Sequence, residues 1–198
     1  MSIDSLLQAT RHYLDARPES EVRESFDSFN WQLLTRDSSP QSIPACAYLT
    51  DVIEHSALNE RELVSAFLSC QPLLRWGRSY TSEDFGEYFY NHYGYMELVG
   101  NRGHYQSNDL AIGFVFFGPN VTYPNHWHLA EELYFPLTSG GMWSRDNQAA
   151  IERQSGEFIF HPSNMAHAMS TQDKPLLALY VWRSPKGSKA DLAQKCDF

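Results

Sequence analysis

The chain has 198 residues, with 42% hydrophobic and 14% aromatic content, enough for one packed domain or one domain with an appendage. Lysine and arginine total 15 against 24 acidic residues, and the resulting charge of −9 argues against nucleic acid or an anionic membrane as partner. The first residues lack a basic stretch followed by an apolar core, and no apolar run approaches the roughly 18 residues of a membrane helix, so a soluble cytoplasmic protein is expected.

The first eighty residues carry helical period. Ile3, Leu6, Leu7, Tyr13 and Leu14 fall near one stripe, with Asp4 or Ser5 as cap and Pro18 closing the segment. Val22, Phe26, Phe29 and Leu33 extend the pattern over 20–34, a third helix is predicted over 45–56, and a fourth over 59–69 with Asn59 as cap. His12 and His55 are isolated here and read as structural. Near Tyr80 the character changes. Tyr80, Phe85, Tyr88, Phe89, Tyr90, Tyr93 and Tyr95 accumulate without a 3.6-residue stripe, which suits a strand pair closing a pocket or aromatic filler equally. Short strands follow at 111–117, 132–137, 142–144, 149–153, 157–160 and 176–183, broken by Gly118-Pro119-Asn120, Ser139-Gly140-Gly141 and Ser184-Pro185-Lys186-Gly187. This spacing predicts a sandwich or barrel after a helical segment, divided as 1–80 and 81–198. Cys46, Cys70 and Cys196 are scattered without paired spacing, as expected for bystander thiols in a reducing compartment.

The chemistry concentrates in two segments, His126-x-His128-x3-Glu132-x-Tyr134 and Gly156-x5-Pro162-x-Asn164-x2-His167. Residues two apart in a strand leave the same face, so His126 pairs with His128 and Glu132 with Tyr134. Imidazoles with a carboxylate hold Zn, Fe(II), Mn or Ni and leave positions open for substrate. The candidate ligands are His126, His128, Glu132 and His167, with Tyr134 nearby. His161, one position before Pro162, reads as a neighbour or a structural residue, and His92 and His104 have no partner at ligand spacing.

These segments resemble the two motifs of the cupin superfamily, G-x5-H-x-H-x3-4-E-x6-G and G-x5-P-x-G-x2-H-x3-N. The first-motif glycines are out of register, Asn164 replaces a glycine, and Ser170-Thr171 stands where an asparagine is usual. Asparagine tolerates positive φ better than most residues, so the turn survives. The resemblance implies a mainly β cupin barrel, a double-stranded β-helix or jelly roll, behind an α-helical N-terminal segment packed on it. It allows a homodimer.

With Tyr123 and the helical preface included, the chain is more closely similar to the cupin-type dimethylsulfoniopropionate (DMSP) lyases of the Q type. The resemblance implies one divalent ion (Zn, Fe(II) or Mn) on His128, Glu132 and His167, with His126 a ligand or close neighbour. It places Tyr134 and Tyr123 at the reacting carbon of DMSP, which is split into dimethyl sulfide and acrylate. Removing a proton beside a carboxylate needs that carboxylate neutralised, and a metal does this. A tyrosine of ordinary pKa ~10 becomes a credible ligand, base or both beside such an ion. Tyr123, three residues before His126, would face away in a regular strand unless Pro124 interrupts it. Tyr180 and Trp182 share a face of the last strand and are candidates for the wall that meets the sulfonium. Two other readings use the same ligands: a cupin dioxygenase or sugar isomerase, which would not need Tyr134, and a non-catalytic cupin that binds a small molecule. The acidic N-terminal helices suit a DNA-binding sensor poorly.

Overall fold

The computed structural model describes residues 2–185, so Cys196 and the stop signal at Lys186-Gly187 lie outside the described residues. Strands β1 (Trp76–Gly77), β2 (Tyr93–Gly100), β3 (Tyr105–Gln106), β4 (Leu110–Phe117), β5 (Thr122–His126), β6 (Glu131–Pro136), β7 (Gly141–Arg145), β8 (Ile151–Arg153), β9 (Ile159–His161), β10 (His167–Ser170) and β11 (Leu176–Arg183) build two sheets. The larger runs β1-β2-β4-β11-β6-β9, with β3 parallel beside β2, and the smaller runs β5-β10-β7-β8. The other ladders are antiparallel.

Alternation along β4 and β11 separates two cores. Phe114, Phe116, Leu177, Leu179 and Val181 face the helices, while Val115, Phe117, Leu176, Ala178 and Tyr180 face the smaller sheet and meet Tyr123, Trp143 and Met169. Strands buried on both faces read as the near-continuous apolar runs seen in the sequence. The fold is the expected cupin barrel with an N-terminal helical segment.

The helical segment differs in detail. Helix α1 (Ile3–Asp15) is capped by Ser2, whose side chain accepts from the Ser5 amide, because Ser2 is the last extended residue. Helix α2 (Ser20–Phe26) stops well short of residue 34. Beyond it Phe26, Phe29 and Trp31 fold onto one another, and the backbone is claimed elsewhere: Leu34 O accepts from Gln106 N at 2.9 Å, and Arg36 N donates to His104 O at 2.7 Å. Pro44–His55 is a 3₁₀ helix. Asn59 lies inside a further 3₁₀ turn, Leu58–Glu60, and so does not cap α3 (Arg61–Cys70). The aromatic stretch is no strand pair: Ser82–His92 is helix α4, opened by a Thr81–Asp84 capping box, and β2 follows it. Gly86, at φ 82°, breaks the helix internally, which is why its aromatic residues show no single stripe. Among the described residues Cys46 and Cys70 are unpaired, and no helix is long and apolar enough to cross a membrane.

Candidate metal centre

Register brings the two motifs together. His126 on β5 lies directly across the ladder from His167 on β10, and Glu132 on β6 lies across from His161 on β9. The turn between β9 and β10 depends on Asn164 at φ 60°, and its amide donates to His128 O at 2.8 Å, tying the second motif to the first. The glycine-to-asparagine change therefore keeps the turn.

The imidazoles are aimed by main chain. His126 Nδ1 donates to Pro124 O (2.9 Å), His128 Nδ1 to Ala130 O (2.8 Å) and His167 Nδ1 to Met165 O (2.9 Å). A carbonyl can only accept, so the proton sits on Nδ1 and Nε2 is left for the cluster. All of these rings are buried, and one ligand atom from each of His126, His128 and His167 falls within 4.8 Å of the others. Glu132, His161 and His167 form a second such group.

Glu132 is the hub. Its Oε2 lies 3.3 Å from His128 Nε2, 3.3 Å from His167 Nε2 and 3.8 Å from His161 Nδ1, and its Oε1 accepts from Trp182 Nε1. Burial raises the Glu132 pKa, yet its contacts with His128, His161 and His167 outweigh that and hold it well below the usual range. Burial lowers the His128 pKa, but the Glu132 contact leaves it raised overall. Burial, aided by neighbouring His167, pushes His126 down to about 3, and burial pushes His161 down to about 4.

The donor set fits a metal ion. His161 Nδ1 and His167 Nε2 are buried without a hydrogen-bond partner, the 3.3 Å approach of His167 to Glu132 lacking hydrogen-bond alignment. Buried polar atoms left so are costly unless something else satisfies them. Imidazole nitrogens converging on one carboxylate favour a cation between them.

An aromatic-walled cavity opens onto this cluster, with His126 and Glu132 among its lining and Tyr80, Tyr93, Tyr123, Tyr134, Tyr180 and Trp182 as walls. Tyr134, Tyr180, Gly113 and Glu97 form one row across β6, β11, β4 and β2. Gly113 leaves room for the Tyr180 phenol, since a Cβ there would lie 2.6 Å from Tyr180 Oη and 2.2 Å from Met96 O. Trp182 pairs with Glu132 across the ladder, and its ring lies 4.3 Å from His128. Tyr134 packs on Trp143 and His161. Tyr123 stacks on His126 at 4.0 Å, and its hydroxyl lies 2.6 Å from that of Tyr80.

Of the residues singled out from the sequence, Tyr123, His126, Glu132, Tyr134, Tyr180 and Trp182 line this cavity, whereas His128 and His167 join the cluster through Glu132 without lining it. His161, read from the sequence as a neighbour or a structural residue, faces Glu132 at 3.8 Å and groups with Glu132 and His167. Tyr80, part of the aromatic stretch but not assigned to the site from sequence, reaches Tyr123 from just before α4.

Fold and site together define a cupin with a buried histidine–carboxylate centre. A family model described as dimethylsulfoniopropionate lyase matches residues 19–178, and the chain belongs to that family. It is 28% identical to dimethylsulfoniopropionate lyase DddQ of Ruegeria pomeroyi over 73% of this chain and 72% of that protein. It is 32% identical to a putative dimethylsulfoniopropionate lyase DddL of Cereibacter sphaeroides over 74% of this chain, spanning 62% of that protein's length. Among solved structures it is similar to one from work on the DMSP lyases RdDddP and RnDddQII, at 30% identity and TM-score 0.87, covering 99% of this chain and 96% of that one. The crystal structure of DddQ from Ruegeria pomeroyi DSS-3 matches at 25% identity and TM-score 0.85, covering 98% and 94%.

Proposed function

We propose that this chain is a metal-dependent lyase that splits DMSP into dimethyl sulfide and acrylate by β-elimination. The observation that carries the reading is a buried imidazole–carboxylate cluster and two tyrosines opening into one aromatic cavity, in a chain of this family. His126, His128, Glu132 and His167 would hold one divalent ion, Zn, Fe(II) or Mn, with Tyr134 as a further ligand. Such an ion, when bound, neutralises a substrate carboxylate and favours ionisation of a neighbouring phenol.

The chain's own residues do the rest. The phenolate of Tyr134, with Tyr123 as second candidate, takes the proton from the carbon next to the carboxylate. The released electron pair forms the carbon–carbon double bond, and the carbon–sulfur bond breaks with its pair leaving on neutral dimethyl sulfide. Stacking on His126 and contact with Tyr80 fix the Tyr123 phenol. Tyr180 and Trp182 offer π faces to the sulfonium, about 0.5–2 kcal/mol each.

The deciding experiment is headspace detection of dimethyl sulfide from DMSP and purified chain supplied with Fe(II), Mn(II) or Zn(II), against a chelated control. Metal-dependent release with equimolar acrylate is the expected result. Absence of release from folded, metal-loaded protein would return the site to oxygenase chemistry, which oxygen consumption would detect, or to non-catalytic binding of a small molecule.

A further inference from the structure

A second groove meets the aromatic cavity at Tyr95, Glu97 and Arg102, which line both. Its outer walls carry Arg75 and Arg78. Among the described residues neither forms an ion pair. Arg75 reaches only the Ser39 carbonyl at 3.5 Å. Arg78 donates to Tyr90 O at 3.0 Å and lies 3.6 Å from the centre of that ring. The one carboxylate lining the groove, Glu97, is already taken: it accepts from the Arg102 amide at 2.6 Å and faces the Arg102 guanidinium at 3.4 Å. The groove therefore keeps two positive charges without a carboxylate partner next to the cavity, in a chain whose net charge is −9.

Guanidinium forks match the planar geometry of a carboxylate, and local positive charge raises the concentration of small anions at a mouth. Glu97 at the inner end disfavours anions of higher charge, while Trp76 and Tyr95 give a short carbon chain apolar contact. We infer that the groove formed by Arg75, Arg78 and Arg102 is a binding site for a small monocarboxylate in transit between solvent and the cavity. The identity of that carboxylate rests on the lyase reading: the substrate entering, or acrylate leaving.

The test is acrylate binding, followed by ligand-observed NMR, to the full chain and three variants whose folding is checked by circular dichroism. Arg75→Gln/Arg78→Gln should weaken binding about tenfold, whereas Arg75→Lys/Arg78→Lys, which keeps the charge but loses the fork, should weaken it only about threefold. Glu132→Ala, which disables the metal cluster, should leave groove binding in place. Unchanged affinity in the glutamine pair, or loss confined to Glu132→Ala, overturns the inference. With DMSP as probe, a KM raised about fivefold in the glutamine pair assigns the site to the substrate carboxylate as well. A fall in acrylate binding alone assigns it to product. Arginine-dependent acrylate binding by a chain that releases no dimethyl sulfide would sink the lyase reading and leave the site standing.

Discussion

Tyr123 and His126 stand three positions apart on one strand, yet their rings stack with centroids 4.0 Å apart at 28°. Strict alternation would put them on opposite faces. Between these residues β5 advances three positions while β10 advances two, from His167 to Met169. The extra residue is a bulge, and it reverses the parity of everything before it. Pro124, which has no amide proton to give the ladder, sits within it.

That bulge makes the two tyrosines separable by experiment. Tyr134→Phe keeps ring packing on Trp143 and His161. It should retain the fold while lowering kcat by about 10²–10⁴, the usual weight of a lost general base. Tyr123→Phe keeps the stack on His126 but loses the contact with Tyr80. If Tyr134 is the base, Tyr123→Phe should lose far less. Full activity of Tyr134→Phe, measured by acrylate formation, would move the base to Tyr123.

His161 gives a second prediction, through Glu132. His128→Ala or Glu132→Ala should abolish metal binding and activity together. His161→Ala should instead weaken metal affinity by about 10–100-fold, by removing the imidazole packed 3.8 Å from the Glu132 carboxylate. Metal content after dialysis against graded chelator separates these cases. Wild-type retention in Glu132→Ala would remove that residue from the ligand set.

A third prediction concerns pH, away from the centre. Glu60 is buried beneath Gly156 with Oε2 unpartnered, and burial raises its pKa, opposed by a hydrogen bond from Tyr13 and the charge of Arg17. A carboxyl whose folded pKa is raised stabilises the fold below its unfolded pKa of about 4.3 and loses that contribution as pH rises through the folded value. Glu60→Gln should therefore raise Tm at pH 7 by about 2–4 °C, the shift that ~1 kcal/mol gives a chain of this size. It should have little effect at pH 4. A Tm difference equal at both pH values would show that packing, not ionisation, is responsible.

Local spacing made most of the centre legible. His126, His128, Glu132 and Tyr134 lie within one short segment, and the Gly156 to His167 spacing marks the turn that returns the last imidazole. Which ligand His161 neighbours is a matter of register: it faces Glu132 across β6 and β9, and no local spacing encodes that pairing. Tyr123 needed the bulge, which a lone proline hints at without fixing its parity. Among the elements, α4 was hidden by Gly86, and α2 was overextended because Phe29 and Leu33 kept helical period while the backbone at Leu34 and Arg36 paired with Gln106 and His104.

The carbonyls that aim His126, His128 and His167 belong to Pro124, Ala130 and Met165. Every amino acid supplies that oxygen, so exchanging the side chain at those three positions leaves the acceptor in place as long as the path of the chain is kept. The orientation of these three imidazoles is thus inherited from backbone shape, whereas Glu132 depends on the side chains of Trp182 and His161, so substitutions reach the centre through its carboxylate before they reach its rings.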